Sequence, residues 1–83
     1  MEIKVVDVRR VGDRGKVKAY ADVEFGGVML VKGFTIVKSG RGLCVTGPRK
    51  ADNRDYWFDI VIFNPEFWDR LEPLILDAYD ALA

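Results

Sequence analysis

The sequence predicts an α+β fold, in which an antiparallel β-sheet meander of about five strands precedes a C-terminal helical segment. Apolar residues in the first 63 positions recur with period two or in short β-branched runs, and glycine-rich turns separate these runs. After residue 64 the apolar period becomes that of a helix. A chain of 83 residues has the size of one domain, so we expect a single domain over residues 1–83.

The first two predicted strands differ in how well the pattern defines them. IKVVDVRRV, residues 3–11, has an alternation that slips between Val5 and Val6, and the turn GDRG, residues 12–15, ends it. KVKAYADVEF, residues 16–25, alternates strictly, which predicts a strand with one buried face. The residues expected to face the core are Val17, Ala19, Ala21, Val23 and Phe25, while Lys16, Lys18, Tyr20, Asp22 and Glu24 point the other way.

A hairpin and a bend are predicted next. Gly26 and Gly27 supply the positive φ that a two-residue hairpin turn requires, and VMLVKGFTIV, residues 28–37, is the returning strand. Gly33 interrupts that strand, so we expect it to change direction near Lys32 and Gly33.

Two further strands complete the predicted sheet. The turn SGRG, residues 39–42, leads into the short strand LCVT, residues 43–46, and residues 47–54 are predicted to form a loop. DYWFDIVIF, residues 55–63, is rich in aromatic and β-branched residues, which predicts the fifth strand.

The helix is predicted to start at Asn64 as N-cap, with Pro65 at the first helical position. Acidic Glu66 and Asp69 suit the positive end of the helix dipole. Pro73 does not disturb the phase of the pattern, so we expect a kinked helix or two short abutting helices. The apolar stripe consists of Phe67, Trp68, Leu71, Leu74, Ile75, Ala78, Tyr79 and Leu82.

Charge is distributed unevenly along a chain that is neutral overall, with 13 cationic and 13 anionic side chains. Residues 1–54 hold 12 Lys or Arg and 6 Asp or Glu, a net charge of +6, whereas residues 55–83 hold 1 and 7, a net charge of −6. The basic part could form a binding face for a polyanion, and the two parts could also attract each other within the fold. Neither interpretation excludes the other.

Several classes of protein are disfavoured by composition. No apolar run approaches the ~20 residues of a membrane helix, and the N-terminus lacks the layout of a signal peptide, so we expect a cytoplasmic protein without a membrane partner. The single cysteine, Cys44, cannot form an internal disulfide, and the absence of histidine makes a zinc cluster implausible. We expect neither a metal nor any other cofactor.

Catalytic residues are also scarce, so we do not expect an enzyme. A cysteine or serine nucleophile would lack its usual histidine base, and Cys44 lies in a predicted strand as a small core residue. Asp55 and Asp59, four positions apart on a strand, are separated by ~13 Å, which is too far for an acid/base pair. The glycine-rich turns lack the lysine and helix start of a phosphate-binding loop.

Two aromatic clusters have alternative interpretations. The run Tyr56-Trp57-Phe58 could stack unpaired bases, but such a run more often belongs to a strand core, and we favour the core. Phe67 and Trp68 are adjacent and cannot both face one narrow core line, which makes one of them a candidate for contact with another subunit.

Five cationic residues lie within or beside the stretch GLCVTGPRK, residues 42–50, and they are either solvated or bind a ligand. Arg49 and Lys50 follow the predicted strand LCVT, Arg54 lies just beyond, and the preceding turn contributes Lys38 and Arg41. If the third and fourth strands pair as a hairpin, Lys38 and Arg41 lie at its tip and the other three at its opposite end. The sequence therefore leaves open whether the five form one surface.

The same stretch carries a family resemblance that extends over nearly the whole chain. The matching segments are VDVRRV (6–11), GKVKAYADVEF (15–25), GFTIVKSGRGLCVTGPRK (33–50) and LDAY (76–79). Together they resemble the stage V sporulation protein G family, the septation regulators SpoVG. The most specific part is GLCVTGPRK, since the family typically shows Gly-Leu-Phe-Val followed by a proline with basic neighbours.

The resemblance implies a small dimeric bacterial protein that binds DNA and RNA and regulates gene expression, cell division and sporulation-related development. It assigns the basic positions after the proline to Arg49 and Lys50, and the N-terminal basic pair to Arg9 and Arg10. Our leading hypothesis is a homodimeric nucleic-acid-binding regulator in which Arg49 and Lys50 contact phosphate, and Arg54, Arg41 and Lys38 add to the positive field.

Departures from the family pattern favour a rival hypothesis. Cys44 replaces the usual aromatic residue, and the helix start, Glu66-Phe67-Trp68-Asp69, is acidic and aromatic instead of polar and basic. Carboxylates at a helix N-terminus repel phosphate, so the chain could instead be a protein-interaction module that kept the fold and lost the nucleic acid. In either case we expect a dimer formed by strand-edge pairing, with residues 32–37 as the edge.

Overall fold

The computed structural model describes residues 1–12, 15–52, 54 and 56–82 and shows the predicted α+β arrangement. Four antiparallel strands form the main sheet in the order β1-β2-β3-β4, a two-stranded sheet follows, and one helix ends the fold. The elements are β1 (Ile3–Arg10), β2 (Val17–Phe25), β3 (Met29–Ser39), β4 (Gly42–Thr46), β5 (Arg49–Ala51), β6 (Trp57–Asp59) and α1 (Pro65–Asp80). No helix within the described ranges is long and apolar enough to cross a membrane.

Two predicted irregularities in the main sheet are confirmed. The register between β1 and β2 shifts between Val5 and Asp7, at the place where the alternation slips. In β3, Gly33 has φ +94° and is bulged between the paired positions Lys32 and Phe34. A positive φ at this position requires glycine, which explains why the strand bends there.

The first hairpin turn is one residue longer than predicted. Gly26 and Gly27 have φ of +59° and +70°, and the N–H of Val28 donates to the carbonyl of Phe25 at 3.1 Å. Pairing resumes between Phe25 and Met29, so three residues connect the strands.

The region after β4 corrects the sequence prediction in two ways. The predicted loop at 47–54 contains β5, and the predicted fifth strand at 55–63 is strand only at Trp57–Asp59. Asp52 explains the difference, because its carboxylate accepts the N–H groups of Arg54 and Tyr56 at 2.8 and 3.0 Å. This turn folds β6 back onto β5, so the two strands form a separate small sheet.

Helix α1 begins as predicted. The side-chain oxygen of Asn64 accepts the N–H groups of Glu66 and Phe67 at 2.8 and 3.4 Å, and Pro65 occupies the first turn. The helix continues through Pro73 to Asp80 as one element, so the alternative of two abutting helices is wrong.

One face of the main sheet packs against α1 to form the core. The buried apolar residues of this core are Ala19, Ala21, Val23, Phe25, Phe34, Ile36, Val45, Leu71 and Ile75. Cys44 is only half-buried and lies outside this cluster, so its predicted core role is wrong. Strand alternation explains this, since its neighbour Val45 takes the inward position.

Both Phe67 and Trp68 pack against this core, so the prediction that they cannot both face it is wrong. The ring of Phe63 lies 6.0 Å from that of Phe67 and 5.8 Å from that of Trp68. Because Phe63 also contacts Phe25 and Phe34, the aromatic contact area is wide enough for both helix residues.

Candidate nucleic-acid interface

The face of the main sheet that points away from the core carries the candidate site. Side chains alternate between the two faces of a strand, so Tyr20 lies opposite the inward residues Ala19 and Ala21. On β3, Thr35 and Val37 likewise lie opposite the buried residues Phe34 and Ile36.

A concave groove of about 670 Å³ lies on this outer face, within the ~300–1,000 Å³ of ordinary ligand sites. We call it the outer groove. Its lining residues are Lys16, Val17, Tyr20, Gly33, Thr35, Val37, Lys38, Ser39, Gly40, Thr46, Arg49 and Trp57.

The outer groove is lined by three cationic residues, Lys16, Lys38 and Arg49. Within the described part of the chain, none of the lining residues is acidic. Lys38 lies near the tip of the β3–β4 hairpin and Arg49 follows its opposite end. The sequence alone could not show whether these two ends form one surface. The fold brings them to the same groove.

Arg49 has an acidic neighbour outside the groove lining. Its Nε lies 3.5 Å from Oδ1 of Asp59, its cross-strand partner, and both side chains are about half exposed. An exposed ion pair of this kind contributes little, about 0–1 kcal/mol. A guanidinium carries five N–H donors, so the pair leaves Arg49 donors for another anion.

Lys50 points away from the groove that Arg49 lines. On β5 the two residues are neighbours, and Lys50 pairs with Phe58 whereas Arg49 pairs with Asp59. Adjacent strand residues face opposite sides, which explains why Arg49 lines the groove and Lys50 does not.

Arg41 and Arg54 lie outside the groove. Arg41 is exposed in the turn between β3 and β4. The Arg54 side chain is 88 % exposed and contacts Asp52, with its Nη2 at 3.4 Å from Oδ2.

Arg9 and Arg10 are both engaged within the fold. Arg9 donates to Asp7 and, at 2.9 Å, to Asp22, a buried carboxylate that also accepts the N–H of Gly33. These contacts hold the pKa of Asp22 below its usual value, chiefly because of the hydrogen bond from Arg9. The guanidinium of Arg10 lies over the Tyr79 ring of α1, 5.6 Å from its centroid.

The aromatic run 56–58 is exposed, so the interpretation as strand core is wrong. Tyr56, Trp57 and Phe58 are 67, 56 and 43 % exposed. The reason is that β5 and β6 form a two-stranded sheet outside the main core. Trp57 lines the outer groove, and the stacking interpretation of the run therefore stays open.

The sequence analysis missed Lys16, Tyr20 and Trp57 as members of one site. A signal for two of them existed, because the alternation of residues 16–25 placed Lys16 and Tyr20 on the outward side. The same alternation predicted that Val17 faces the core, which is wrong, because the β2–β3 register shifts between Val17 and Ala19 and Val17 lines the outer groove. Trp57 could not be located, since its place in the groove depends on how the separate β5–β6 sheet packs beside β2, β3 and β4.

Comparison with known proteins gives a consistent result. The family model described as SpoVG matches residues 1–81. A relative from Symbiobacterium thermophilum is 33 % identical over 99 % of this chain, and one from Acetivibrio thermocellus is 30 % identical over 99 %. A third, from Archaeoglobus fulgidus, is 33 % identical over 94 %. All three are named, provisionally, septation protein SpoVG.

These relatives differ in length. The chain spans 59 % of the Symbiobacterium relative, 88 % of the Acetivibrio relative and 93 % of the Archaeoglobus relative.

Proposed function

The chain belongs to the SpoVG family, and on this basis we propose that it is a regulatory protein that binds DNA or RNA and acts in gene expression, cell division and sporulation. The observation that carries the proposal is the outer groove, in which Lys16, Lys38 and Arg49 lie beside the exposed ring of Trp57. Cations in a concave site attract a polyanion, and an otherwise neutral chain concentrates three of them here.

The acidic helix does not oppose this proposal as strongly as the sequence indicated. α1 carries Glu66, Asp69, Glu72, Asp77 and Asp80 against a single cation, Arg70. It packs on the inner face of the main sheet, and the groove lies on the outer face. The two groups of exposed charges are therefore held on opposite faces, and salt screens exposed charges that are more than ~8–10 Å apart, which weakens the repulsion.

We attribute most of the affinity for nucleic acid to phosphate contacts and little of it to recognition of base edges. Within the described residues, α1 is the only helix, and its apolar side is occupied by the core. Its remaining side carries five acidic residues against Arg70, and acidic side chains repel DNA phosphates, so α1 is not suited to lie in a major groove as a recognition helix. Lys16, Lys38 and Arg49 are the residues that we place on phosphate.

A mobility-shift titration tests the proposal, with single-stranded and duplex probes at two salt concentrations. The slope of log K against log salt is negative, and replacing Arg49 by alanine should make it less negative by about 0.9 on duplex DNA or about 0.7 on a single strand. Arg54→Ala is the matched control, because Arg54 is an exposed arginine of the same region outside the groove. Absence of any salt-dependent binding would refute the proposed function.

The alternative function, a protein-interaction module, is favoured by one observation. Exposed apolar side chains cluster at the first hairpin, where Val28, Met29 and Leu30 are 91, 52 and 51 % exposed. Binding through such residues would depend weakly on salt, whereas nucleic-acid binding must weaken steeply. The same titration therefore separates the two functions.

A further inference from the structure

We propose that the outer groove selects single-stranded nucleic acid by stacking an unpaired base on Trp57, an inference that rests on the proposed function and specifies its ligand. Among the described residues that line the groove, Trp57 is the more exposed of the two aromatic side chains, at 56 % against 38 % for Tyr20. An exposed aromatic ring that lines the same groove as three cations is suited to a ligand with both flat rings and negative charge.

In this groove, the phosphates and the base of the ligand contact different residues. Lys16, Lys38 and Arg49 supply the positive charge that holds the sugar-phosphate backbone. The Trp57 ring supplies a face on which a base can stack, and Tyr20, 38 % exposed, lines the same groove. Duplex bases already stack on their neighbours, so only an unpaired base offers its face to these rings.

The position of Trp57 is fixed by the small sheet. It pairs with Ala51 across β5 and β6, and the adjoining turn is closed by Asp52, whose N–H donates to the Tyr56 carbonyl at 2.9 Å. Arg49 lies two positions before Ala51 and therefore on the same face of β5, and Trp57 is the cross-strand partner of Ala51. Arg49 and Trp57 therefore share one face of the hairpin, and both line the outer groove. The aromatic ring and a cation are thus presented together by one short element.

Fluorescence separates stacking from simple phosphate binding, because the chain has only two tryptophans. A Trp68→Phe variant leaves Trp57 as the sole indole, and a Trp57→Phe variant leaves the partly buried Trp68. The probes are a 15-residue thymidine oligonucleotide, an abasic oligomer of equal length and a 15-base-pair duplex. We expect the thymidine strand to quench Trp57 emission and the abasic oligomer to bind without quenching. Trp68 emission should stay constant.

Affinity provides the second readout, and it does not depend on the Trp68 substitution. Trp57→Ala in the parent chain should weaken binding of the thymidine strand about 5- to 150-fold, the range that 1–3 kcal/mol per stacked base corresponds to. Duplex binding should change less than two-fold. Phe58→Ala is the matched control, because Phe58 is an exposed aromatic neighbour on the opposite side of the hairpin.

Three outcomes would overturn the inference, and they are distinguishable. Equal loss of strand and duplex binding in Trp57→Ala, or loss of neither, refutes stacking and leaves the proposed function intact. Failure of every probe to bind refutes both. A blue shift of Trp57 emission that grows with protein concentration, without nucleic acid, would show that a second copy of the chain covers the ring.

Discussion

At the scale of single residues, Asp22 connects the outer sheet face to the bend in β3. It is 5 % exposed, accepts two hydrogen bonds from Arg9 at 2.9 and 3.3 Å, and accepts the N–H of Gly33 at 3.3 Å. A buried carboxylate is tolerated only when its oxygens are bonded in this way. Asp22 therefore stabilises both the pairing of β1 with β2 and the bulge that Gly33 forms.

This arrangement predicts acid sensitivity with a definite sign. The folded-state pKa of Asp22 is lowered, so its stabilising contribution is fully present above the unfolded-state pKa of about 3.9 and is lost as pH falls through the folded-state value. The free energy of unfolding, measured by urea denaturation, should decrease progressively below pH 5. Asp22→Asn keeps an acceptor for Gly33 but cannot titrate, so its pH dependence should be flatter than that of the parent.

A second variant isolates the hydrogen bond to the bulge. Asp22→Ala leaves the partly buried Gly33 N–H without this acceptor, and an unsatisfied donor costs about 1–3 kcal/mol when fully buried and less when water reaches it. We expect Asp22→Ala to be less stable than Asp22→Asn at pH 7. Equal stability of the two variants would show that the Gly33 bond contributes nothing measurable.

At the scale of secondary-structure elements, α1 also protects the edge of β4. The carboxylate of Glu72 accepts the backbone N–H of Val45 at 2.9 Å, and the Val45 side chain lies in the core. β4 is the last strand of the main sheet, so within the part of the chain that the structure describes this N–H has no strand partner on that side. A helix side chain thus satisfies a donor that a sheet edge would otherwise leave free.

Removing this acceptor should lower stability. Glu72→Ala is expected to reduce the free energy of unfolding by about 1–3 kcal/mol, because the Val45 N–H loses its partner. Asp77→Ala, an exposed acidic position on the same helix, is the matched control and should change stability by less than about 0.5 kcal/mol. Thermal denaturation of both variants measures the difference, and similar losses would refute the edge-protecting role of Glu72.

The same elements show what the sequence could predict. Local chemistry defines the cap at Asn64, the slip at Val5 and the bulge at Gly33, because each depends on residues close together in the chain. The β5–β6 hairpin was missed although its turn is also local, because the Asp52 carboxylate accepts N–H groups two and four residues further on, which is a turn signal that the sequence analysis did not use. The joining of Lys38 with Arg49 in one groove depends on tertiary packing, which no periodicity contains.

At the scale of the whole molecule, the main sheet lies between the three groove cations and the acidic start of α1. The outer groove holds Lys16, Lys38 and Arg49, while the acidic helix start with Glu66 and Asp69 belongs to the inner side. Reversing both helix charges, Glu66→Lys with Asp69→Lys, should therefore change nucleic-acid affinity less than three-fold at 0.15 M salt, where exposed charges are screened within ~8 Å. Mobility shift measures the affinity. A large increase would place the helix start beside the bound strand.

Assembly is the last property of the whole molecule, and the structure corrects the predicted dimer edge. Thr35 to Val37 pair with β2 on one side and β4 on the other, so this part of residues 32–37 is not an edge. Pairing with β4 starts only at Thr35, which leaves Met29–Phe34 without a strand on that side among the described residues. We therefore move the proposed homodimer contact to Met29–Phe34, where Met29 and Leu30 are half exposed.

Backbone geometry selects the variant that tests this contact. The N–H of Gly26 donates to the carbonyl of Glu2, so the backbone N–H and C=O groups of even-numbered residues at this end of β2 point towards β1. Glu24 is one of these residues, so its partner Leu30 makes no backbone hydrogen bond to it and directs its own N–H away from β2. Leu30→Pro removes this outward donor without breaking a bond to β2. Leu30→Ala removes the side chain alone.

If two copies pair through this edge, sedimentation of the parent should give twice the mass of one chain, and Leu30→Pro should shift it towards monomer more than Leu30→Ala does. A parent that sediments as a monomer at high micromolar concentration, or a Leu30→Pro variant that stays fully dimeric, would exclude this edge as the contact.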